Sequence, residues 1–294
     1  MECCDSVCLI KDGWFREIND MWPGHYFALK IDSVLSCEKS DYQDIMVLKT
    51  TNHGNALILD GVIQCTEKDE FAYQEMIAFL PLCSHPNPER VLIVGGGDGG
   101  VAREVDKHPL VKKIVQVEID QKVIDASKKY LPNMAKGFDS PKLELKVCDG
   151  FEYMKCHKNE FDVIITDSSD PIGPASALFS ESYFSLLKGA LRSGGIICSQ
   201  GGTAWDDIET VKKTLDHCRR HFKEVRYPIA GVPTYPTGQI GFFMGALDGN
   251  SDLTTPKFKF TDEDLEKYDL KYYNTQIHSA SFVLPNFARK ALYE

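Results

Sequence analysis

Val91-Leu-Ile-Val-Gly-Gly-Gly-Asp-Gly-Gly100 decides how this chain is read. Four apolar residues run into a glycine-rich turn, and that turn carries one carboxylate, Asp98. Gly95, Gly97 and Gly100 match G-x-G-x-x-G, the pattern of a nucleotide-binding turn between a strand and a helix. Such a turn ordinarily offers backbone N–H groups to an anion. A carboxylate placed in it makes the site unfavourable for a phosphate or carboxylate and favourable for a cation. The expected ligand is therefore a nucleoside with a positively charged tail. No phosphate-binding lysine follows the glycines, which excludes a P-loop. The second half of a dinucleotide site is not apparent either.

Downstream of this stretch, strand-like and helix-like segments alternate. The predicted strands are 91–94, 113–117, 143–147, 162–166 and 195–199, with helical stretches such as 121–130 and 183–191 between them and closing strands at 224–229 and 239–244. Alternation of this kind predicts an α/β fold, a parallel sheet covered by helices on both faces. Ligands in such sheets bind at the carboxyl ends of the strands, so the residue ending each strand matters. Glu118 ends the second strand, about 20 residues after the glycines, where an acid can take both ribose hydroxyls. Asp149-Gly150 ends the third, where a carboxylate could accept from the amino group of adenine. Asp167-Ser-Ser-Asp170 ends the fourth, and Gln200 the fifth. Any one such Asp could simply cap the next helix; four acidic strand ends in a row point to a site.

Upstream, residues 13–66 read as short strands with turn chemistry at Asn52-His-Gly-Asn and Asp60-Gly. Residues 1–66 are thus expected to form a small antiparallel β domain. Residues 67–294 are expected to form the α/β domain that carries the site, with 67–89 as a helix and joint ending in Ser84-His-Pro-Asn-Pro-Glu. Tyr73 falls on that helix, where an aromatic residue commonly serves the core, although its phenol could hydrogen-bond a ligand.

The composition, 43% apolar and 26% charged, is that of an ordinary globular protein. A net charge of −10 argues against a nucleic-acid binder and suits a cationic substrate. No apolar run is long enough to span a membrane, and the first residues lack the basic start and apolar stretch of a signal peptide. A cytoplasmic location is expected. The ten cysteines include no C-x-x-C pair, so no metal site is expected, and the scattered thiols are expected to be reduced and mostly buried. Cys3, Cys4 and Cys8 form the one cluster, in an arm expected to fray.

Across nearly its full length the chain resembles the spermidine synthase family of polyamine aminopropyltransferases. The stretches that carry the resemblance include Gly13-Trp-Phe-Arg-Glu, Met21-Trp-Pro-Gly, Leu59-Asp-Gly-Val-Ile-Gln, Asp69-Glu-Phe-Ala-Tyr-Gln-Glu-Met and Gly95–Gly100. Asp167-Ser-Ser-Asp-Pro-Ile-Gly-Pro, Pro233-Thr-Tyr-Pro-Thr-Gly and Tyr272-Tyr-Asn continue it. The resemblance implies a Rossmann-like, methyltransferase-type sheet with a small β-rich N-terminal domain. It implies transfer of an aminopropyl group from decarboxylated S-adenosylmethionine, a co-substrate and not a cofactor, to putrescine. It also implies a homodimer without a metal. By position, Gln43, Gln74, Asp98, Glu118, Asp149 and Gly150 would hold the donor. Tyr73, Asp167, Asp170, Tyr235 and Gln200 would line the acceptor site, with Asp167 as proton acceptor.

One position departs from the family pattern. Relatives carry Gln-x-Glu-x-x-Trp where this chain has Gln200-Gly-Gly-Thr-Ala-Trp205, so Gly202 replaces an acid that would help receive the far amine. Asp206 or Asp207 could compensate. Gly202 leaves two other enzymatic readings open: spermine formation, or N-methylation of putrescine, which Asp98 opposes because intact S-adenosylmethionine carries a tail carboxylate. A polyamine-binding protein without catalysis is a third reading, opposed by the presence of Tyr73 and Asp167. Residues 168–180, rich in Pro, Gly and Ser, are the candidate lid.

Overall fold

Asp12-Gly13 and Asp60-Gly61 have positive φ at both residues, the geometry of a two-residue hairpin turn. They punctuate an antiparallel meander, β1 (Ile10–Lys11), β2 (Trp14–Glu17), β3 (Phe27–Lys39), β4 (Asp44–Thr50), β5 (Asn55–Leu59) and β6 (Val62–Thr66), paired in chain order. Our computed structural model of the protein describes residues 5–170, 173–249 and 251–294. One face of the meander packs Phe15, Leu29, Met46, Leu48 and Ile58 together. The other sets Ile45, Val47, Leu57 and Cys65 against Val123, Leu131 and Met134, so the two sheets share a core.

Helix α1 (Glu70–Ser84) follows, buried from Ala72 to Ser84, which is why it is apolar nearly all round. Then come β7 (Arg90–Gly95), α2 (Gly100–Lys107), β8 (Lys113–Glu118), α3 (Gln121–Tyr130), the short α4 (Pro132–Ala135), β9 (Leu143–Val147), α5 (Gly150–Cys156) and β10 (Phe161–Asp167). Helix α6 (Glu181–Ala190), β11 (Leu191–Gln200), α7 (Ile208–Arg219), β12 (Glu224–Arg226), β13 (Ile229–Gly231) and β14 (Gln239–Ala246) complete the second sheet. Its order is β12-β14-β11-β10-β7-β8-β9, with β13 also on β14. The strands from β11 to β9 run parallel, and β14 is antiparallel to β11. The predicted Rossmann-like α/β sheet is the observed one. Strand order reverses between β7 and its neighbours β8 and β10, and this switch point is where a ligand crevice opens.

The structure differs from expectation in three places. The single closing strand at 224–229 is two, β12 and β13, because Pro228 between them has no N–H to donate to a ladder. Helix α7 and the C-terminal helices α8 (Asp262–Lys267), α9 (Thr275–Ala280) and α10 (Asn286–Tyr293) were not foreseen. Cys37 is in a disulfide, against the expectation of reduced thiols; spacing along a chain does not report which sulfurs meet in space. Cys65, Cys83, Cys198 and Cys218 are free and buried, and Cys8, Cys148 and Cys156 free and exposed. Cys3 and Cys4 lie outside the described residues.

Candidate active site

A cavity of about 440 Å³ opens at the carboxyl ends of the second sheet's strands and is roofed by the first sheet. Every residue expected at the donor and acceptor sites, Gln43, Tyr73, Gln74, Asp98, Glu118, Asp149, Gly150, Asp167, Asp170, Gln200 and Tyr235, lines it.

The glycine turn is built to approach β10. Gly95 pairs with Asp167 in the ladder. A Cβ on Gly95 would stand 2.0 Å from the Asp167 carbonyl oxygen, and φ there is +85°, so glycine is required twice over. The Gly96 N–H donates to that same carbonyl at 2.9 Å. Beneath the turn, the Gln116 amide donates to the Gly95 and Gly96 carbonyls at 2.9 and 2.6 Å. A fully buried glutamine in the middle of a hydrophobic strand was the available signal for this support, and it was not singled out in the sequence.

Asp98 occupies the anion-binding potential of the turn itself. Its carboxylate accepts from the Gly100 N–H at 2.6 Å and from the Gln74 amide at 3.0 Å. The start of α2 is thereby already matched with a negative charge, and what remains facing the cavity is acidic. Burial raises the Asp98 carboxyl above its ordinary value, against the lowering by those two donors and by Arg103.

Asp167 ends β10 and accepts the Tyr73 phenol at 2.7 Å. Burial, then repulsion from Asp98 and Glu118, pushes its carboxyl up to about 8, while the Tyr73 bond pulls the other way. Tyr73 is 5% exposed and packs its ring against Phe242 and Tyr235, with centroids 5.7 and 5.9 Å away. Its ring belongs to the core, as expected of an aromatic residue on this helix, and its hydroxyl reaches Asp167 at the cavity wall. Tyr235 donates its hydroxyl to the Gln64 carbonyl of β6 at 2.7 Å. The loop that carries Tyr235 is held by Asp69, which accepts from the Thr234 N–H at 2.9 Å, the Thr234 hydroxyl at 3.1 Å and the Thr66 hydroxyl at 2.6 Å.

At the end of the cavity formed by β8, Glu118 spends one oxygen on the Asp120 N–H at 2.8 Å. Its other oxygen faces the glycine turn, 3.1 Å from where a Cβ of Gly97 would stand. Burial raises this carboxyl to about 7. Gln43 reaches across from the first sheet and donates to Asp120 at 2.9 Å, beside the Ser40 hydroxyl at 2.6 Å. Asp149 is exposed and caps α5 by accepting the Phe151 N–H at 2.7 Å. The capping role thus holds one of its oxygens and leaves the other for a ligand. Gly150 sits against Val94, 2.7 Å from the position of a Cβ.

At the opposite end, Gln200 donates to Asp170 at 2.9 Å. Glu17, fully buried on β2, accepts the Ile63 N–H at 3.0 Å, and burial lifts its carboxyl to about 8, with Asp170 adding repulsion. Glu17 was quoted in the sequence only as part of a motif. Of the candidate lid, Gly173–Phe179 form a 3₁₀ turn, and Ala175, Leu178 and Phe179 line the cavity; Pro171 and Ile172 lie outside the described residues.

Asp98, Glu118, Asp167 and Asp170, four largely buried carboxyls facing one concave space, are unfavourable together until cations enter. The arrangement can hold a polycation at both ends and take a proton in the middle.

Residues 70–254 match the family described as the spermine/spermidine synthase domain, and residues 13–67 the one described as the spermidine synthase tetramerisation domain. The chain is 53% identical over 283 residues to a spermidine synthase of Dictyostelium discoideum, covering 96% of this chain and 98% of the relative. It is 47% identical over 294 residues to a spermine synthase of Saccharomyces cerevisiae, covering 97% of each. A crystal structure of a spermidine synthase in complex with the transition state analogue AdoDATO superposes with a TM-score of 0.88 over 96% of both chains, at 36% identity.

Proposed function

Because the chain belongs to the spermine/spermidine synthase family, we propose that it transfers the aminopropyl group of decarboxylated S-adenosylmethionine to putrescine, giving spermidine and methylthioadenosine. The observation that carries this reading is the buried Tyr73–Asp167 pair at 2.7 Å, set beside a glycine turn whose anion site is filled by Asp98.

The chemistry follows from charge. A primary amine with a pKa of about 10.4 is neutral in roughly one molecule in a thousand near pH 7.4, a cost on the order of 4 kcal/mol. Burial and the neighbouring acids Asp98 and Glu118 favour the protonated form of Asp167, and a protonated carboxyl is no base. Binding the donor changes this: its sulfonium and its ammonium lower the Asp167 pKa and, by like-charge repulsion, that of the incoming amine. Asp167 then takes the amine proton, with Tyr73 fixing the carboxylate. The amine lone pair forms a C–N bond to the carbon attached to sulfur, and the C–S electrons leave with neutral methylthioadenosine. The site contributes alignment and proton acceptance. Asp98 faces the donor's ammonium, and a tail carboxylate in its place would meet repulsion, which favours the decarboxylated donor.

A longer acceptor is the second reading. It is supported by Gly202, where a Cβ would meet nothing within 4 Å. The region from Gly13 to Glu67 supports an oligomer, which we propose to be a homodimer in the cytoplasm; light scattering would separate it from a tetramer. Among the described residues, no helix is long and apolar enough to cross a membrane. The function is tested by mass spectrometry of products from decarboxylated or intact S-adenosylmethionine, each with putrescine or spermidine. Spermidine and methylthioadenosine, formed from the decarboxylated donor alone, are expected. Spermine as the main product, or N-methylputrescine from the intact donor, would replace this reading.

A further inference from the structure

Two adjacent acids follow Trp205, and the fold treats them differently. Asp207 caps α7, accepting the Thr210 N–H at 2.9 Å. Asp206 turns into the cavity, and its Oδ2 is buried without a hydrogen-bond partner among the described residues. The half-exposed His25 ring lies 3.9 Å from its Oδ1. Gln200, 6% exposed, gives its amide N–H to Asp170 and leaves its own Oε1 buried and unpartnered. Asp170 and Asp206 are close enough to repel, each facing the same space. Gly202 cannot contribute: it has no side chain, and Tyr227 and Gly241 pin its carbonyl by hydrogen bonds of 2.9 and 2.6 Å.

An unpartnered buried acceptor is costly, and here two sit beside a third that has a single donor. A primary ammonium carries three N–H donors and no acceptor. We propose that Asp206, together with Asp170 and Gln200 Oε1, forms a three-acceptor seat for the far ammonium of the acceptor diamine, and that Asp206 sets which acceptor length is accepted. The inference rests on the aminopropyl-transfer reading above. It assigns Asp206 as a specificity-determining residue, remote from the bonds that change.

The test compares kcat/KM for putrescine with that for n-butylamine, which has the same chain and no far ammonium. Asp206→Asn is expected to lower the putrescine to n-butylamine ratio at least about tenfold, the scale of one charge-assisted hydrogen bond. Asp206→Glu advances the carboxylate by one methylene and is expected to raise the ratio of 1,3-diaminopropane to putrescine, which keeps the test available if the Asn variant does not fold. A putrescine to n-butylamine ratio unchanged in Asp206→Asn, or a diamine ratio unmoved in Asp206→Glu, overturns the assignment while leaving the function standing. A wild-type protein that forms no aminopropylated product removes both.

Discussion

Two groups of buried carboxylates share helix α1 and its surroundings, and their partners separate them. Glu75, 1% exposed, accepts the N–H groups of Lys271, Tyr272 and Tyr273 at 2.8, 2.9 and 2.7 Å. Asp69 is similarly saturated by Thr66 and Thr234. These acids are clamps: one ties the C-terminal segment to α1, the other ties down the loop of Tyr235. Asp167 has one phenol, and the groups pressing on it are acids, Asp98 and Glu118. Asp170 has one amide. Burial alone does not mark a functional carboxylate; burial with acceptor capacity left over, in company of like charge, does.

The contrast breaks if variants of the two groups behave alike. The largest effect is expected from Asp167→Asn, which removes the base while keeping the shape. Turnover should fall at least about 100-fold, with a melting temperature no lower than that of the parent protein. Glu75→Gln should do the reverse. It sets an amide N–H₂ against backbone donors, and chemical denaturation should show a loss on the order of 2 kcal/mol. Asp98→Asn sharpens the comparison at the donor end. Calorimetry should show the decarboxylated donor weakened about tenfold more than methylthioadenosine, which lacks the ammonium. Equal weakening of both would mean that Asp98 serves the turn and not the charge.

The smallest effect is on stability against pH. Asp167 and Glu17 rise from ordinary values near 4 to about 8, and Glu118 to about 7. Between those values the folded protein binds more protons than the unfolded chain, so stability falls as pH rises. The melting temperature of the free protein should decline from pH 6 to pH 9, and the decline should be shallower in Asp167→Asn. Saturation with the cationic donor should also flatten it, because bound positive charge removes the reason for the raised values.

Much of this was legible in the sequence. The glycine turn, the alternating segments and the acidic strand ends fixed the sheet and one wall of the cavity, because strand ends in a parallel sheet converge wherever the order reverses. Tyr73, Gln43 and Tyr235 came from motif resemblance, since nothing in a local pattern says that a loop of the first sheet or of residues 232–238 faces the same space. Gln116 and Glu17 were passed over because each is one polar residue within an apolar strand, and its partners are distant in sequence. Helix α8 stayed hidden because it has no fully buried residue, so no apolar stripe announces it.

The hydrogen bond from the Gly96 N–H to the Asp167 carbonyl, described above at 2.9 Å, makes the turn we propose as the donor's cradle and the carboxylate we propose as the proton acceptor parts of one rigid gauge. A substitution or ligand that lifts the turn carries the carboxylate with it. The distance between electrophile and base is therefore calibrated by the backbone, and crowding at Gly95 would appear first as misalignment of the reaction and only later as lost affinity for the nucleoside.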